Sequence, residues 1–298
     1  MTLLAAAAMD PHPDQALPTG LERLAVTRWQ GAVATNCDDL LAQEVPVALV
    51  FNGISHAVMM ASPADLDDFA LGFALTEGLI DSPAELYGCE SHEVAQGIEL
   101  QLQVSSACEW RLKERRRTLA GRTGCGLCGT DSLSQVRRTL SPAPSVPVDV
   151  GAIWRAEAAL QSGQVLQQLT GATHAAAWVN AAGEILHLRE DVGRHNALDK
   201  LIGCLVRQQV HPASGFVCIT SRASFEMVQK TLVFGAGVLA AVSAPTALAV
   251  ELARDHNLAL AGYVRGQGVP PSLVVYSFPE RFGATQPDAS PVTAFSGV

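Results

Sequence analysis

The chain has 298 residues, 48% of them hydrophobic, and its 29 acidic against 20 basic side chains give a formal net charge of −9. That is apolar material for one large core or two modest ones, while the acidic balance excludes broad nucleic-acid binding, because phosphate backbones are gripped by an excess of Lys and Arg. Seven scattered cysteines, an odd number, fit a reducing compartment better than a secreted disulfide framework, and the early apolar run from Leu3 to Ala8 lacks a basic flank and is too short to span a membrane, so a cytoplasmic location is expected.

Residues 1 to about 20 are rich in Ala, Pro and small polar residues without a period, and are expected to form a disordered tail. In EVPVALVFNGISHAVMMAS two apolar runs meet at Asn52-Gly53, a dipeptide suited to the positive φ angles of a tight turn, which predicts a hairpin over 46–60. Ser62-Pro63-Ala64-Asp65 then reads as a capping box with Pro at the first helical position. Leu66, Phe69, Ala70, Phe73 and Ala74 continue at helical spacing to about Thr76. Asp65, Asp67 and Asp68 complement the positive end of that helix. From Glu109 to Gly124 the chain is polar and basic and runs into TGCGLCGTDSL, which places Cys125 and Cys128 on a loop.

The stretch Ser141 to Pro147, SPAPSVP, is the expected linker between an α+β N-terminal domain, 21–140, and a second domain, 148–283, with a flexible tail over 284–298. Beyond the linker the pattern alternates. A helix over 152–169 leads to the strands AAAWVN and EILHLR. A helix over 197–208, the strand GFVCIT, the helix SFEMVQKTLV, the strand VLAAVS, the helix TALAVELARDH and the strand LALAGYV follow. This order predicts a layered α/β domain with helices covering the sheet.

Three chemistries use a CxxC pair. Structural zinc needs two further ligands, and no second CxxC or spaced histidine pair is present; Cys89 and Cys108 would have to be gathered from afar. A dithiol oxidoreductase expects the first cysteine at a helix N-terminus behind a buried strand, whereas RRRTLAGRTG precedes this one. Sulfur carriage needs a thiolate near positive charge, which Arg111, Lys113, Arg115, Arg116, Arg117 and Arg122 supply in sequence, and backbone freedom, which Gly124, Gly126 and Gly129 supply. A solvated face is the plain alternative for the arginines, and the residues alone leave these readings open.

Polar residues also gather at three strand-to-helix junctions, where α/β sheets build ligand sites. Thr173 and His174 open one strand; Arg189, Glu190, Asp191, Arg194, His195, Asn196, Asp199 and Lys200 fill REDVGRHNALDK; Ser221, Arg222, Ser224, Glu226 and Lys230 fill TSRASFEMVQK. Singly these would be caps or surface ion pairs; together they suggest a shared site. At the end of a strand, Tyr263-Val264-Arg265-Gly266-Gln267-Gly268 offers an aromatic ring, a guanidinium and two permissive glycines that could stack on a base and approach phosphate.

From about residue 44 to 278 the sequence resembles the FdhD family of formate dehydrogenase accessory sulfurtransferases. Six ordered blocks carry the likeness: EVPVALVFNGISHAVMMASPADLDDFALGFALTEGLI, TGCGLCG, TGATHAAAWV, EDVGRHNALDKLIG, TSRASFEMVQK and SAPTALAVELA. The resemblance implies a sulfur carrier that takes persulfide sulfur from a cysteine desulfurase on Cys125, with Cys128 as an assisting thiol. It passes the sulfur to molybdenum cofactor in its bis(molybdopterin guanine dinucleotide) form, destined for the formate dehydrogenase catalytic subunit. The family's cofactor segment falls on Tyr263 to Gly268, where this chain is longer and carries prolines, and His174, Arg194, His195 and Arg222 are candidate neighbours. No permanently bound metal is expected. The implied fold is a cytidine-deaminase-like α/β C-terminal domain with a smaller α+β N-terminal domain and a cysteine-bearing loop. Zinc deamination itself needs HxE and PCxxC; here His92-Glu93-Val94 has the wrong spacing and Gly124 precedes Cys125. A dithiol oxidoreductase and a non-catalytic cofactor chaperone are the alternatives. One hairpin and several apolar helices could supply a homodimer interface.

Overall fold

The structure, a computed structural model, describes residues 17–120 and 140–283, and for 115–120 the backbone alone. Residues 1–16 of the expected N-terminal tail, the 284–298 tail, and Cys125 and Cys128 lie outside the described residues.

The N-terminal part begins with β1 (Leu21–Gln30) and β2 (Val33–Ala42), an antiparallel pair turning at Gly31, whose φ is 60°. Its pattern is weak because both faces are largely open, leaving Leu24, Trp29 and Val33 exposed. The expected hairpin follows as β3 (Val45–Phe51) and β4 (Ile54–Ala61), with Asn52 and Gly53 at φ 45° and 76°. Asn52 does more than turn: its side chain accepts from Val104 N and donates to Val104 O, both at 2.9 Å, fixing the hairpin tip to a later strand.

Helix α1 (Leu66–Thr76) ends where expected but does not start as expected. Asp65 is its N-cap in the left-handed region, φ 54° and ψ 38°, with no side-chain cap, so the capping box at Ser62 does not form. Ser62 is instead buried against residues 191–200. Strands β5 (Leu86–Val94) and β6 (Gly97–Val104) complete a four-stranded sheet in the order β4-β3-β6-β5, with β3 and β6 parallel. Helix α2 (Ser106–Ala120) takes up most of the basic stretch. Phe51, Phe69, Phe73, Leu100, Leu102 and Leu112 form this sheet's core.

Residues 141–147 are irregular but not a free tether: Ala143 is buried, its N donates to His256 O at 2.7 Å and its O accepts from Asn257 Nδ2 at 2.8 Å. A short strand β7 (Val148–Asp149) precedes α3 (Val150–Gly163) and α4 (Val165–Thr170). The single helix expected over 152–169 is thus broken at Gln164, where φ is −82° and ψ 88°. Then come β8 (His174–Asn180), β9 (Ile185–Asp191), α5 (Arg194–Arg207), β10 (Gly215–Ile219), α6 (Phe225–Phe234), β11 (Val238–Ala241), α7 (Ala247–Asp255) and β12 (Ala259–Arg265). The alternation expected between 174 and 265 is present throughout. Strands β13 (Ser272–Ser277) and β14 (Phe282–Gly283) close the described chain, β14 pairing with β7.

The larger sheet has the order β13-β12-β11-β10-β8-β9; β10, β11 and β12 are parallel and the rest antiparallel. It is covered on both faces. Ala176, Trp178, Val217, Ile219 and Leu239 pack under α5, α6 and α7, and Ala175, Ala177, Phe216, Cys218 and Val238 pack under α3. Successive strand residues point to opposite cores, so these strands read as unbroken apolar runs.

The two sheets are joined through α1 and α5. A Cβ on Gly72 would lie 1.8 Å from Asp199 O, and one on Gly203 would lie 1.9 Å from Asp68 O, so only glycine lets these helices touch backbone to backbone. Buried charges seal the contact. Lys200 Nζ lies 2.6 Å from Asp191 Oδ2 with both side chains fully buried, and it donates to Ser62 O at 3.0 Å. Asp191 also accepts from Ser62 N, Gly193 N and Asn196 Nδ2. Lys230 Nζ donates to Asp199, Thr76 and Glu77 at 2.8–2.9 Å. Asp68 pairs with Arg189 at 2.7 Å and Arg207 at 2.9 Å.

Candidate functional site

The carboxyl ends of the parallel strands β10, β11 and β12 lie on one edge of the larger sheet, and antiparallel β8 starts there while β9 ends there, His174 facing Asp191. Ligand sites of open α/β sheets form at such an edge. His174 is the first residue of β8, Arg194 and His195 open α5, Arg222 follows β10, and Tyr263 to Gly268 finish β12 and the turn after it. Four separate stretches of sequence thereby reach one edge because strand direction puts them there.

The His174 pKa is lowered by burial first, then by the neighbouring Arg194 and His195, which disfavours its charged form. His195 Nε2 sits 2.6 Å from Glu226 Oε2, a contact linking the starts of α5 and α6. The Glu226 pKa is lowered, chiefly by His195. Arg194 Nε is buried with no hydrogen-bond partner among the described residues, and Arg222 is exposed.

Within YVRGQG the roles divide. Tyr263 has φ 51° and is 46% exposed, at an irregularity in the β12–β13 pairing. Val264 is wholly buried in the core under α3, so its side chain supports the segment from behind. Arg265 donates to the carbonyls of Val242 and Val264, bracing the ends of β11 and β12. Gly266 N donates to Glu157 Oε2 at 2.8 Å, and a Cβ there would lie 2.1 Å from Trp154 O. Gln267 is exposed and Gly268 half-buried.

Other members of the polar clusters are structural. Asp191, Lys200, Asp199 and Lys230 are spent in the buried network between the sheets, Arg189 on Asp68, and Glu190 on Leu166 N, Gln167 N and Thr173 Oγ1. The shared site expected of the whole clusters is therefore narrower. Buried charges must be paired, and α5 turns one face to α1, so only its first residues reach the edge. Glu157 was open to detection, since it falls on the apolar face of α3 with Ile153, Ala156 and Leu160. Gln164 and Thr220, which also meet at this edge, carry no such signal.

Around the cysteine segment, Arg111 bonds Glu85 at 2.7 Å and Asp81 at 3.2 Å, and Lys113 bonds Glu109. The Glu85 pKa falls to about 2, chiefly through the Asp81 amide and with help from Arg111. Arg111 ties α2 to the segment before β5, and Lys113 pairs within α2 itself, so neither cation is unpaired; Arg115, Arg116, Arg117 and Arg122 have side chains outside the described residues. Cys108 is buried and donates to Leu79 O at 3.0 Å, which removes it from the ligands a zinc site could gather. Among the described residues no three His, Cys, Asp or Glu side chains converge to hold a metal ion, and no described helix is long and apolar enough to cross a membrane.

Residues 42–283 match the sequence profile of the FdhD/NarQ family. The chain belongs to the FdhD/NarQ family. Its relatives include a "Sulfur carrier protein FdhD" of Bordetella petrii, 53% identical over 260 residues that cover 86% of this chain and 92% of that one. Another, of the same name, from Variovorax paradoxus, is 54% identical over 273 residues, 91% and 97% of the two chains. In fold, this FdhD/NarQ chain is similar to the crystal structure of a protein described as a formate dehydrogenase accessory protein from Desulfotalea psychrophila. The TM-score is 0.70 at 21% identity, over 89% of this chain and all of the other.

Proposed function

We propose that this protein is a cytoplasmic persulfide carrier serving formate dehydrogenase. The Cys125 thiolate attacks the outer sulfur of a cysteine desulfurase persulfide. The donor S–S bond breaks as a Cys125 Sγ–S bond forms, and the donor cysteine leaves as thiolate, so no electrons are gained or lost. Cys128 assists as the second thiol of the segment. The recipient is molybdenum cofactor as bis(molybdopterin guanine dinucleotide), which then passes to the formate dehydrogenase catalytic subunit.

Family membership, with relatives named as sulfur carriers over nearly their whole length, is the observation that carries this reading. The sheet edge supports it. His174, Arg194, His195, Arg222 and the segment Tyr263 to Gly268 lie along it, and Arg194 and Arg222 are cations there on a chain of net charge −9 that must hold an anionic dinucleotide. We read the larger sheet as a cytidine-deaminase-like scaffold without its zinc chemistry, since the HxE and PCxxC residues are not in this sequence.

The test is complementation of a strain lacking the native carrier. Formate dehydrogenase activity should return with the wild type and stay absent with Cys125→Ala expressed to the same level. Full activity with Cys125→Ala would mean a chaperone that only binds cofactor, and activity that depends on a reversible Cys125–Cys128 disulfide would mean a dithiol oxidoreductase.

A further inference from the structure

A groove of about 380 Å³ lies where α5 and α6 end, a helix length of about 20 Å from the sheet edge at which they begin. Its walls are apolar: Leu75 from α1, Ile202 and Val206 from α5, Val210 just beyond it, and Val233 and Phe234 from α6. Ile202 and Phe234 are buried, but Leu75, Val206, Val210 and Val233 are only half-buried and leave apolar surface in contact with water.

The charge around the groove is acidic. Its lining contains Asp81 and His211 but no Lys or Arg. The carboxyl ends of α5 and α6 add the partial negative charge of helix termini. Arg111, 3.2 Å from Asp81, is matched by a second carboxylate, Glu85, at 2.7 Å, and Arg207 in the last turn of α5 is engaged by Asp68. An apolar side chain flanked by Lys or Arg complements such a surface.

The position of the groove says which partner brings that side chain. Helix α2, tied to Asp81 through Arg111, leads to the cysteine segment. Nine residues of helix beyond Arg111, about 14 Å, and five more of chain, at most about 18 Å, separate this rim from Cys125. The chain returns on the same side. Leu140 packs on the core cluster that holds Ile202 and Phe234, and Pro144 O lies against Gly237, two residues beyond Gly235, which faces Pro212 of the groove.

We propose that this groove is the docking surface for the protein that donates the persulfide, which seats an apolar side chain on Ile202, Val206, Val210 and Phe234 and a neighbouring Lys or Arg against Asp81. The inference rests on the reading above that Cys125 takes its sulfur from a cysteine desulfurase, and it adds the surface that holds that enzyme during the S–S exchange.

The test is the rate at which Cys125 of the purified full chain gains sulfur, followed by mass spectrometry, from two donors. One is a cysteine desulfurase with cysteine, kept below saturation. The other is glutathione persulfide, which undergoes the same exchange with glutathione thiolate leaving and needs no docking surface. Val210→Arg fills the groove and adds like charge. Asp81→Asn removes the rim charge at a side chain that is 75% exposed, and so keeps the test decisive should Val210→Arg lower the stability. Val210→Arg should slow loading from the desulfurase by about tenfold or more, the effect of losing an interface anchor. Asp81→Asn should slow it less and flatten its dependence on salt. Glutathione persulfide should load all three chains alike. Unchanged loading from the desulfurase in both variants would refute the docking surface and leave the carrier reading standing. Equal slowing with both donors would place the effect on the thiol and overturn the proposal. Unchanged loading with a dimer lost in sedimentation would make the groove a contact between copies instead. A wild type that takes sulfur from neither donor would remove the carrier reading itself, and the groove's role with it.

Discussion

Replacing Gly203 by alanine puts the joint between the two sheets to a quantitative test. In an exposed helix interior this change stabilises by about 1 kcal/mol, because glycine loses more backbone freedom on folding. Here the new Cβ would sit 1.9 Å from Asp68 O and 2.7 Å from Asp68 C. Real Cβ atoms essentially never approach closer than 3.0 Å, so α1 and α5 must part by about 1 Å (3.0 − 1.9). The obstacle is backbone and cannot rotate away. Overpacking typically costs ~1–3 kcal/mol, and the upper end applies here, leaving a net loss of about 2 kcal/mol after the helix gain. Urea unfolding at equilibrium should show a lower midpoint with an unchanged slope. Gly72→Ala should behave alike, since its Cβ would lie 1.8 Å from Asp199 O. The double variant should cost less than the sum, because one separation of the helices accommodates both methyls. A stabilised Gly203→Ala, or strict additivity of the pair, would refute the close crossing.

Lys200→Met leaves the Asp191 carboxylate buried without its cation and should cost about 3–5 kcal/mol in the same assay, with Asp191→Asn in the same chain recovering part of the loss. The three remaining donors to Asp191, from Ser62, Gly193 and Asn196, favour the lower end. His174 has a lowered folded-state pKa, so the unfolded chain takes up its proton first, at an ordinary pKa of about 6.5. Stability should therefore fall as pH drops below that value, until the folded state also protonates, and His174→Gln should flatten this part of the pH–stability curve; an unchanged curve would contradict the placement of His174.

Strand and helix order from β8 to β12 was legible because these strands are continuous apolar runs alternating with helices, the edge strand β13 going unread, and the Asn52-Gly53 turn announced its hairpin. Strands β1, β2 and β5 were not legible, since most of their side chains face solvent, whereas β6 did carry its signal, Ile98, Leu100, Leu102 and Val104 alternating with Glu99, Gln101 and Gln103, and went unread. The failed cap at Ser62 and the spent charges of Asp191, Asp199, Lys200 and Lys230 share one cause. Each makes its contacts across more than a hundred residues of chain or within the joint with α1, which local spacing cannot report. Gly72 and Gly203 did leave a trace, as glycines inside helical patterns, where a packing reason is to be sought. The edge residues were legible as polar insertions at strand ends; Gln164 was not, because nothing local marks the helix break at which it sits.

Sulfur carriage on Cys125 is tested most directly by intact-protein mass spectrometry after incubation with a cysteine desulfurase and cysteine in the presence of a chelator. The wild type should gain one sulfur atom, lost again on reduction, and Cys125→Ala should gain none. An unmodified wild type, or an equal adduct on Cys125→Ala, would contradict the assignment of Cys125 as the carrier.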